Sequence, residues 1–403
     1  MKVLIFTASF CDLNYKEFSK DTSGFGYMVR DIMISLTPLC EVDCITHQIT
    51  QGYRLGGVVN VLKHTKKDVF LSCRITDVFK AIGVFFRVKE GVKSRLRNGY
   101  YYINSGSVKK TIKKVKPDIV HIHGLSLGYK PIVELCEKMK VPYVVTLHGI
   151  IGLGDVNIKA NSYVDREYEY EGLKFLIEHN RDVSVVSSGT KKRIVDDYKL
   201  PGDNIHVVLN GTKIPEDCSR VKENKKHIVC IGSVSERKNQ MQLVRAFALL
   251  PEDVKNNCVL HIIGSLPDGI DLKGEAKKLN LENNVICHGF VPREEVLEYL
   301  KKAYLNVSVS LDEGFGMPIT EGYAYGVPSL FFSDIDAAED LYNEESTMMI
   351  YGKTDNDVAH YLQEALNKKW DSKKIMEISK KYSLEQMAQN YYDFYSRAIK
   401  RFK

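Results

Sequence analysis

Asp312-Glu-Gly-Phe-Gly-Met-Pro-Ile-Thr-Glu-Gly-Tyr-Ala-Tyr-Gly-Val-Pro328 follows an apolar run, Leu305–Ser310, and leads into a stretch suited to a helix. The run reads as a buried strand, so the segment is a strand, a Gly-rich loop and a helix in succession. Pro318 suits the first turn of that helix, where a missing N–H costs nothing. Gly314 and Gly316 let the backbone approach a ligand closely. The unsatisfied N–H groups that open the helix can receive an anion. Glu313 falls on the loop and Glu321 about one turn into the helix, and a carboxylate can accept two hydrogen bonds from a diol. Free amides, a helix dipole and two carboxylates suit a ligand that carries both hydroxyls and phosphate.

The same alternation extends in both directions. Towards the N-terminus, continuous Val/Ile-rich runs read as parallel strands at Lys2–Thr7, Glu41–Thr46, Asp118–Ile122, Tyr143–Leu147, Val183–Val186 and Ile205–Leu209. Helical patterns at Tyr27–Leu36, Leu127–Lys138, Asp165–His179 and Gly189–Tyr198 separate them. The polar run Pro215–Lys226 interrupts this series and reads as a linker. A second series begins at His227–Gly232 and continues through Val259–Ile263, Asn284–His288, Leu305–Ser310 and Ser329–Phe332, with a helix at Gln240–Leu250. The last segment is one tyrosine-rich amphipathic helix. The expected fold class is α/β, with two Rossmann-like domains, residues 1–213 and 214–382, followed by a helix over 383–403. Ligands of such open sheets bind at the carboxyl ends of the strands.

With 403 residues, of which 44% are hydrophobic and 27% charged, the chain is long enough for two cores and too apolar for a disordered protein. The net charge of +6 permits acidic partners without singling out nucleic acid, and no nucleic-acid-binding module is present. The nine cysteines are scattered, with no Cys-x-x-Cys pair, which argues against a zinc ribbon or a disulfide scaffold and fits a reducing cytoplasm. The apolar run Val3–Phe10 is too short to span a bilayer and reads as a strand.

Further candidates lie at strand ends. Arg237 and Lys238, in Gly232-Ser-Val-Ser-Glu-Arg-Lys-Asn239, can hold a diphosphate, the arginine as a fork and the lysine as a point charge. His148 closes Thr146-Leu-His-Gly149. A neutral imidazole there can hydrogen-bond a ligand hydroxyl. His121 and His123 share a strand face, but no Cys or carboxylate partner is evident and no metal site is expected. From Arg87 to Lys116, ten Lys or Arg stand against one acid, Glu90, with Phe85, Phe86 and Tyr100–Tyr102 interleaved. A basic, aromatic surface over 85–116 suits contact with an anionic membrane. The dinucleotide fingerprint G-x-G-x-x-G is absent after the first strand, which argues against an oxidoreductase.

The opening segment, written E-G-F-G-x-P-x-x-E-x-x-A-x-G-x-P, resembles the signature of the retaining GT-B glycosyltransferases of the large family-four group. Other segments resemble that family in order and spacing: Asp21–Gly26, Lys116–Gly124, Thr146–Gly149, Leu209–Thr212, Ser233–Asn239, His288–Val291 and Tyr382–Glu385. Many members carry the arginine directly after the strand glycine, where this chain has Ser233. The resemblance implies two facing Rossmann-like domains about a cleft, with the last helix crossing back to the first domain. It implies transfer of a sugar from a UDP- or GDP-linked donor to an acceptor hydroxyl with retention, typically in bacterial envelope polysaccharide or glycolipid synthesis. In that reading His148, Glu313, Lys238 and Arg237 are catalytic. Gly26, Asn210, Phe290, Val291, Gly314, Phe315, Gly316, Met317 and Glu321 bind the donor. The acceptor is a glycan or a lipid-linked glycan, and no metal or other cofactor is required. The enzyme would work in the cytoplasm, at the inner face of the cytoplasmic membrane if the basic segment docks there. A non-catalytic GT-B partner subunit and a GT-B nucleotide-sugar epimerase are the alternatives.

Overall fold

The computed structural model describes all residues except 20–22, 89–90, 127, 151–162, 217–219, 222, 268 and 403, with backbone alone for 163–166. The expected Asp21 and Thr22 contacts therefore lie outside the described residues. The chain divides into two compact units. The first holds residues 1–186, 190–211 and 384–403, and the second holds 187–189 and 212–383.

The first unit is built on strands β1 (Lys2–Thr7), β2 (Glu41–Thr46), β3 (Tyr53–Leu55), β4 (Val59–Val61), β5 (Ile119–His123), β6 (Tyr143–Leu147), β7 (Val183–Val185) and β8 (Ile205–Val207). Their order in the sheet is β3-β4-β2-β1-β5-β6-β7-β8. Every pairing is parallel except the β3–β4 hairpin. All five residues of β5 and of β6 are buried, as continuous apolar runs in a doubly covered sheet should be. The helix Leu384–Phe402 belongs to this unit. Its Tyr391, Phe394 and Tyr395 are fully buried, and Tyr395 Oη meets His121 Nδ1 at 2.7 Å.

The second unit carries β9 (Lys226–Ile231), β10 (Cys258–Ile263), β11 (Val285–Gly289), β12 (Ala303–Ser308), β13 (Ser329–Phe332) and β14 (Thr347–Ile350). They form one parallel sheet in the order β11-β10-β9-β12-β13-β14. The polar run expected as a linker is anchored on this unit: the Arg220 guanidinium donates to the carbonyls of Gly326 and Ala303 and to Ser372 Oγ. Hydrogen bonds to buried backbone carbonyls explain why a polar segment is held there.

The largest departure from the sequence reading lies between β4 and β5. Three helices lie there, Lys66–Ser72, Ile75–Arg87 and Val92–Val115, and the 85–116 stretch expected as a basic surface falls on the end of the second and on the third. The third helix buries Asn98, Gly99, Asn104, Ser105, Gly106 and Ser107 beside Tyr102, Val108 and Ile112, so most of its inner face is small and polar, with little apolar periodicity to betray it. The small residues let helix backbones approach. A Cβ on Gly106 would stand 2.1 Å from the Ser72 carbonyl oxygen, and one on Gly99 would stand 3.4 Å from that of Ala81. Gly106→Ala should therefore force the first helix away and cost about 1–3 kcal/mol, read as a lower urea midpoint with unchanged slope. An unchanged midpoint would show that the contact yields freely.

Candidate functional site

In each sheet the strand order reverses beside the first strand of the unit, and a doubly wound sheet opens its binding crevice at such a point. In the second unit this point lies between β9 and β12, which are neighbours in the sheet. The loop after β9 carries Arg237 and Lys238. The loop after β12 carries Glu313.

The β9 loop is pinned from within. Gln240 Nε2 donates to the Gly232 carbonyl at 3.2 Å, and the Lys238 amide donates to Ser235 Oγ at 3.2 Å. Asn239 takes a left-handed conformation (φ 57°) to start the helix Gln240–Ala248, a geometry that asparagine tolerates. Gly232 is also left-handed (φ 140°), and a Cβ on it would lie 3.6 Å from Lys238 Cε, so the lysine stem packs across a bare backbone. The amide of Leu311 donates to the Arg237 carbonyl at 2.8 Å, which ties the two loops together.

Lys238 Nζ donates to Glu313 Oε2. Arg237 Nη1 stands 3.8 Å from the same oxygen and donates to the Asp312 carbonyl at 2.7 Å. Burial alone would raise the Glu313 carboxyl, but Lys238 and Arg237, with a hydrogen bond from Ser310, outweigh it and hold the group below its usual range. Two cations thus share one carboxylate, which leaves an excess positive charge at the switch point. Beyond Glu313 the chain turns through Gly316 (φ 89°), where a side chain would be strained and its Cβ would meet Ile319 Cδ1 at 2.8 Å. The helix Met317–Ala324 starts there. Its Ile319 amide is already bonded to the Gly316 carbonyl at 2.9 Å, which places the anion-binding capacity in the preceding amides, Gly314 to Met317. Phe315 is buried beneath this loop.

Glu321, on the same helix, pairs with Arg293 Nη2 at 2.7 Å. Sequence reasoning missed Arg293. It opens the helix Arg293–Lys302, where a cation opposes the helix dipole. A misplaced charge of that kind signals a partner elsewhere. Just before it, Phe290 is 57% exposed, while Val291 packs partly buried against the core cluster that holds Val296 and Leu300. His288, which precedes this loop, closes a row of imidazoles across three strands. His227 meets His261 at 2.8 Å, His261 meets His288 at 2.9 Å, and His288 meets Tyr299 Oη at 3.1 Å.

The remaining candidates, His148, Gly26 and Asn210, lie in the first unit. His148 follows β6, and its Nε2 stands 3.0 Å from His123 Nδ1. Burial drives its pKa down to about 3, so the ring is neutral at physiological pH. Among the described residues, His148 Nδ1 and His123 Nε2 have no hydrogen-bond partner, nor has the buried Asn210 Oδ1. Gly26 lies within the first turn of the helix Gly24–Leu36 rather than on a loop, because Ser23 caps the helix by accepting the Gly26 amide at 3.1 Å. That turn reaches His148: the Phe25 ring meets the imidazole edge-on at 5.2 Å. His121 bonds Tyr395 and Thr146, the latter at 2.6 Å, and so serves the core.

Two family models match adjacent stretches of the chain. Glycosyltransferase Family 4 matches residues 61–214, and glycosyl transferases group 1 matches residues 216–382. The alpha-monoglucosyldiacylglycerol synthase of Streptococcus pneumoniae is 25% identical over 320 residues, which are 71% of this chain and 68% of that protein. Among solved structures, the sucrose-phosphate synthase of Thermosynechococcus elongatus superposes with a TM-score of 0.72 at 15% identity, covering 98% of this chain and 99% of that one. HepE of Anabaena, solved in complex with UDP and glucose, superposes with a TM-score of 0.64 at 14% identity, again covering 98% and 99%. Two parallel α/β sheets, a Gly-rich turn between paired charges, and two family models that meet almost end to end agree: the chain belongs to the group 1 glycosyltransferases, of the GT-B fold.

Proposed function

We propose that this glycosyltransferase moves a sugar from a nucleoside-diphosphate sugar to an acceptor hydroxyl, with retention at the anomeric carbon, in the synthesis of a bacterial envelope polysaccharide or glycolipid. The observation that carries the reading is the Lys238–Glu313–Arg237 cluster at the β9/β12 switch point. The similarity to a glucosyldiacylglycerol synthase and to a fold solved with UDP and glucose supports it. Lys238 has three donors, so it can keep Glu313 and still reach a phosphate oxygen. Arg237 and the amides of Gly314 to Met317 add to the charge stabilisation. Glu313 turns its other lone pairs to sugar hydroxyls, and Glu321 accepts the two ribose hydroxyls. Phe290 and Val291 flank the base. In the first unit, the neutral His148 is suited to hydrogen-bond a sugar hydroxyl, and the resemblance gives Gly26 and Asn210 donor-binding roles.

The bond from the anomeric carbon to the diphosphate breaks, and a bond from that carbon to the acceptor oxygen forms on the same face. The acceptor proton passes to the leaving phosphate. In this reading the cationic pair takes the role that a divalent metal fills elsewhere, and no metal is required.

Calorimetric titration with UDP, GDP and ADP in the presence of a chelator tests the donor site. One nucleotide should bind selectively, and Glu321→Ala should weaken it about 10-fold or more, the worth of hydrogen bonds to a charged group. Absence of binding by all three would overturn the assignment.

A further inference from the structure

The three helices between β4 and β5 leave a second apolar face unused. In Ile75–Arg87, Ala81 and Val84 face inward and pack with Val88 and Tyr102. On the opposite side, Ile75, Phe79, Ile82 and Phe86 recur at helical spacing and are 74%, 68%, 49% and 76% exposed. Phe70 and Leu71 on the preceding helix are 82% and 65% exposed, and Val92 and Leu96 on the following one are 62% and 61% exposed. So many large apolar side chains exposed along three consecutive helices mark a docking surface.

The charge around the patch selects the partner. Lys66, Lys67, Arg87, Lys93 and Arg97 are exposed along the same helices, while Lys80 is paired with Glu134. Among the described residues of these helices the acids are committed: Asp77 is buried and paired with Arg74, and Asp68 closes the capping box of the first helix with Thr65. Apolar side chains set among this excess of cations fit a membrane interface with anionic headgroups. Among the described residues no helix is long and apolar enough to cross a membrane, so the contact would be interfacial. Within the expected 85–116 surface, residues from Asn98 to Val108 are largely buried, and the exposed apolar side chains lie instead over 70–96.

We infer that this face docks the first unit on an anionic lipid surface.

Co-sedimentation of the full chain with vesicles tests the inference, and no donor is present, so the outcome is independent of the donor-site reading. Vesicles containing phosphatidylglycerol should bind the protein and pure phosphatidylcholine vesicles should not. Lys66→Glu with Lys67→Glu should weaken binding about fivefold per lysine, and added salt should do the same. Phe79→Ser with Phe86→Ser should abolish binding without lowering the melting temperature, because both rings are exposed. Failure to bind anionic vesicles, or equal binding to neutral ones, overturns the inference. So does a concentration-dependent dimer in gel filtration that the serine substitutions dissociate, since the face would then belong to a second copy.

Discussion

Lys238→Ala should lower turnover by about 10²–10³-fold while the protein stays folded. The lysine is the cation that Glu313 holds closest at the switch point, where the proposed reaction develops charge on the leaving diphosphate. Removing it has a second effect: Glu313 keeps its burial but loses its main compensating charge, so its carboxyl should move up from its depressed value. Lys238→Ala with Glu313→Gln, read against Glu313→Gln alone, separates the two effects. If the lysine served only to neutralise the glutamate, the double variant would match Glu313→Gln. If it grips phosphate, the double variant falls well below it. Undiminished turnover in Lys238→Ala, or a double variant equal to Glu313→Gln, removes the diphosphate role.

Acid should unfold the first unit well above the pH at which its carboxylates protonate. His47, His121 and His148 are buried as neutral rings, and burial pushes their pKa values to about 4, 3 and 3. His123 is driven well below its usual value for the same reason, with repulsion from His121 and His148 added. In the unfolded chain each titrates near 6.5, so between that value and the folded one the unfolded state binds more protons. The native state is thus fully favoured above about pH 7 and loses ground as pH falls, by about 1.4 kcal/mol per pH unit per histidine. At pH 5 four such rings amount to about 8 kcal/mol, comparable with the whole stability of a domain, about 5–15 kcal/mol. Guanidinium midpoints at pH 7.5, 6 and 5, followed by a probe in this unit, should fall steeply. A flat profile would show that these rings accept protons in the folded state.

Much of this architecture could be read from composition along the chain. Strands such as Lys2–Thr7 and Tyr143–Leu147 form where continuous Val/Ile runs stand between helical periods, and β12 leads into the helix Met317–Ala324 through the Gly-rich loop as that spacing requires. What escaped had no local signature. The hairpin β3–β4 has only three residues per strand, too few for a period. The helix Val92–Val115 hides its buried face in Asn, Gly and Ser. The cation at Arg293 acquires meaning only when the fold brings Glu321 to it, since the two stand far apart in sequence. The Phe25–His148 contact is of the same kind, because strand order rather than sequence distance brings the two rings together.

The row of imidazoles on β9, β10 and β11 carries a consequence of its own. Neutral histidine has two tautomers, and a nitrogen that accepts obliges the other to carry the hydrogen. The links run His227 Nδ1 to His261 Nε2, His261 Nδ1 to His288 Nε2, and His288 Nδ1 to the Tyr299 hydroxyl. If the phenol donates, all three rings must be protonated on Nε2, and none can change without the others. The row then behaves as one two-valued element whose polarity is set at its tyrosine end, beside the turn that leads to Phe290.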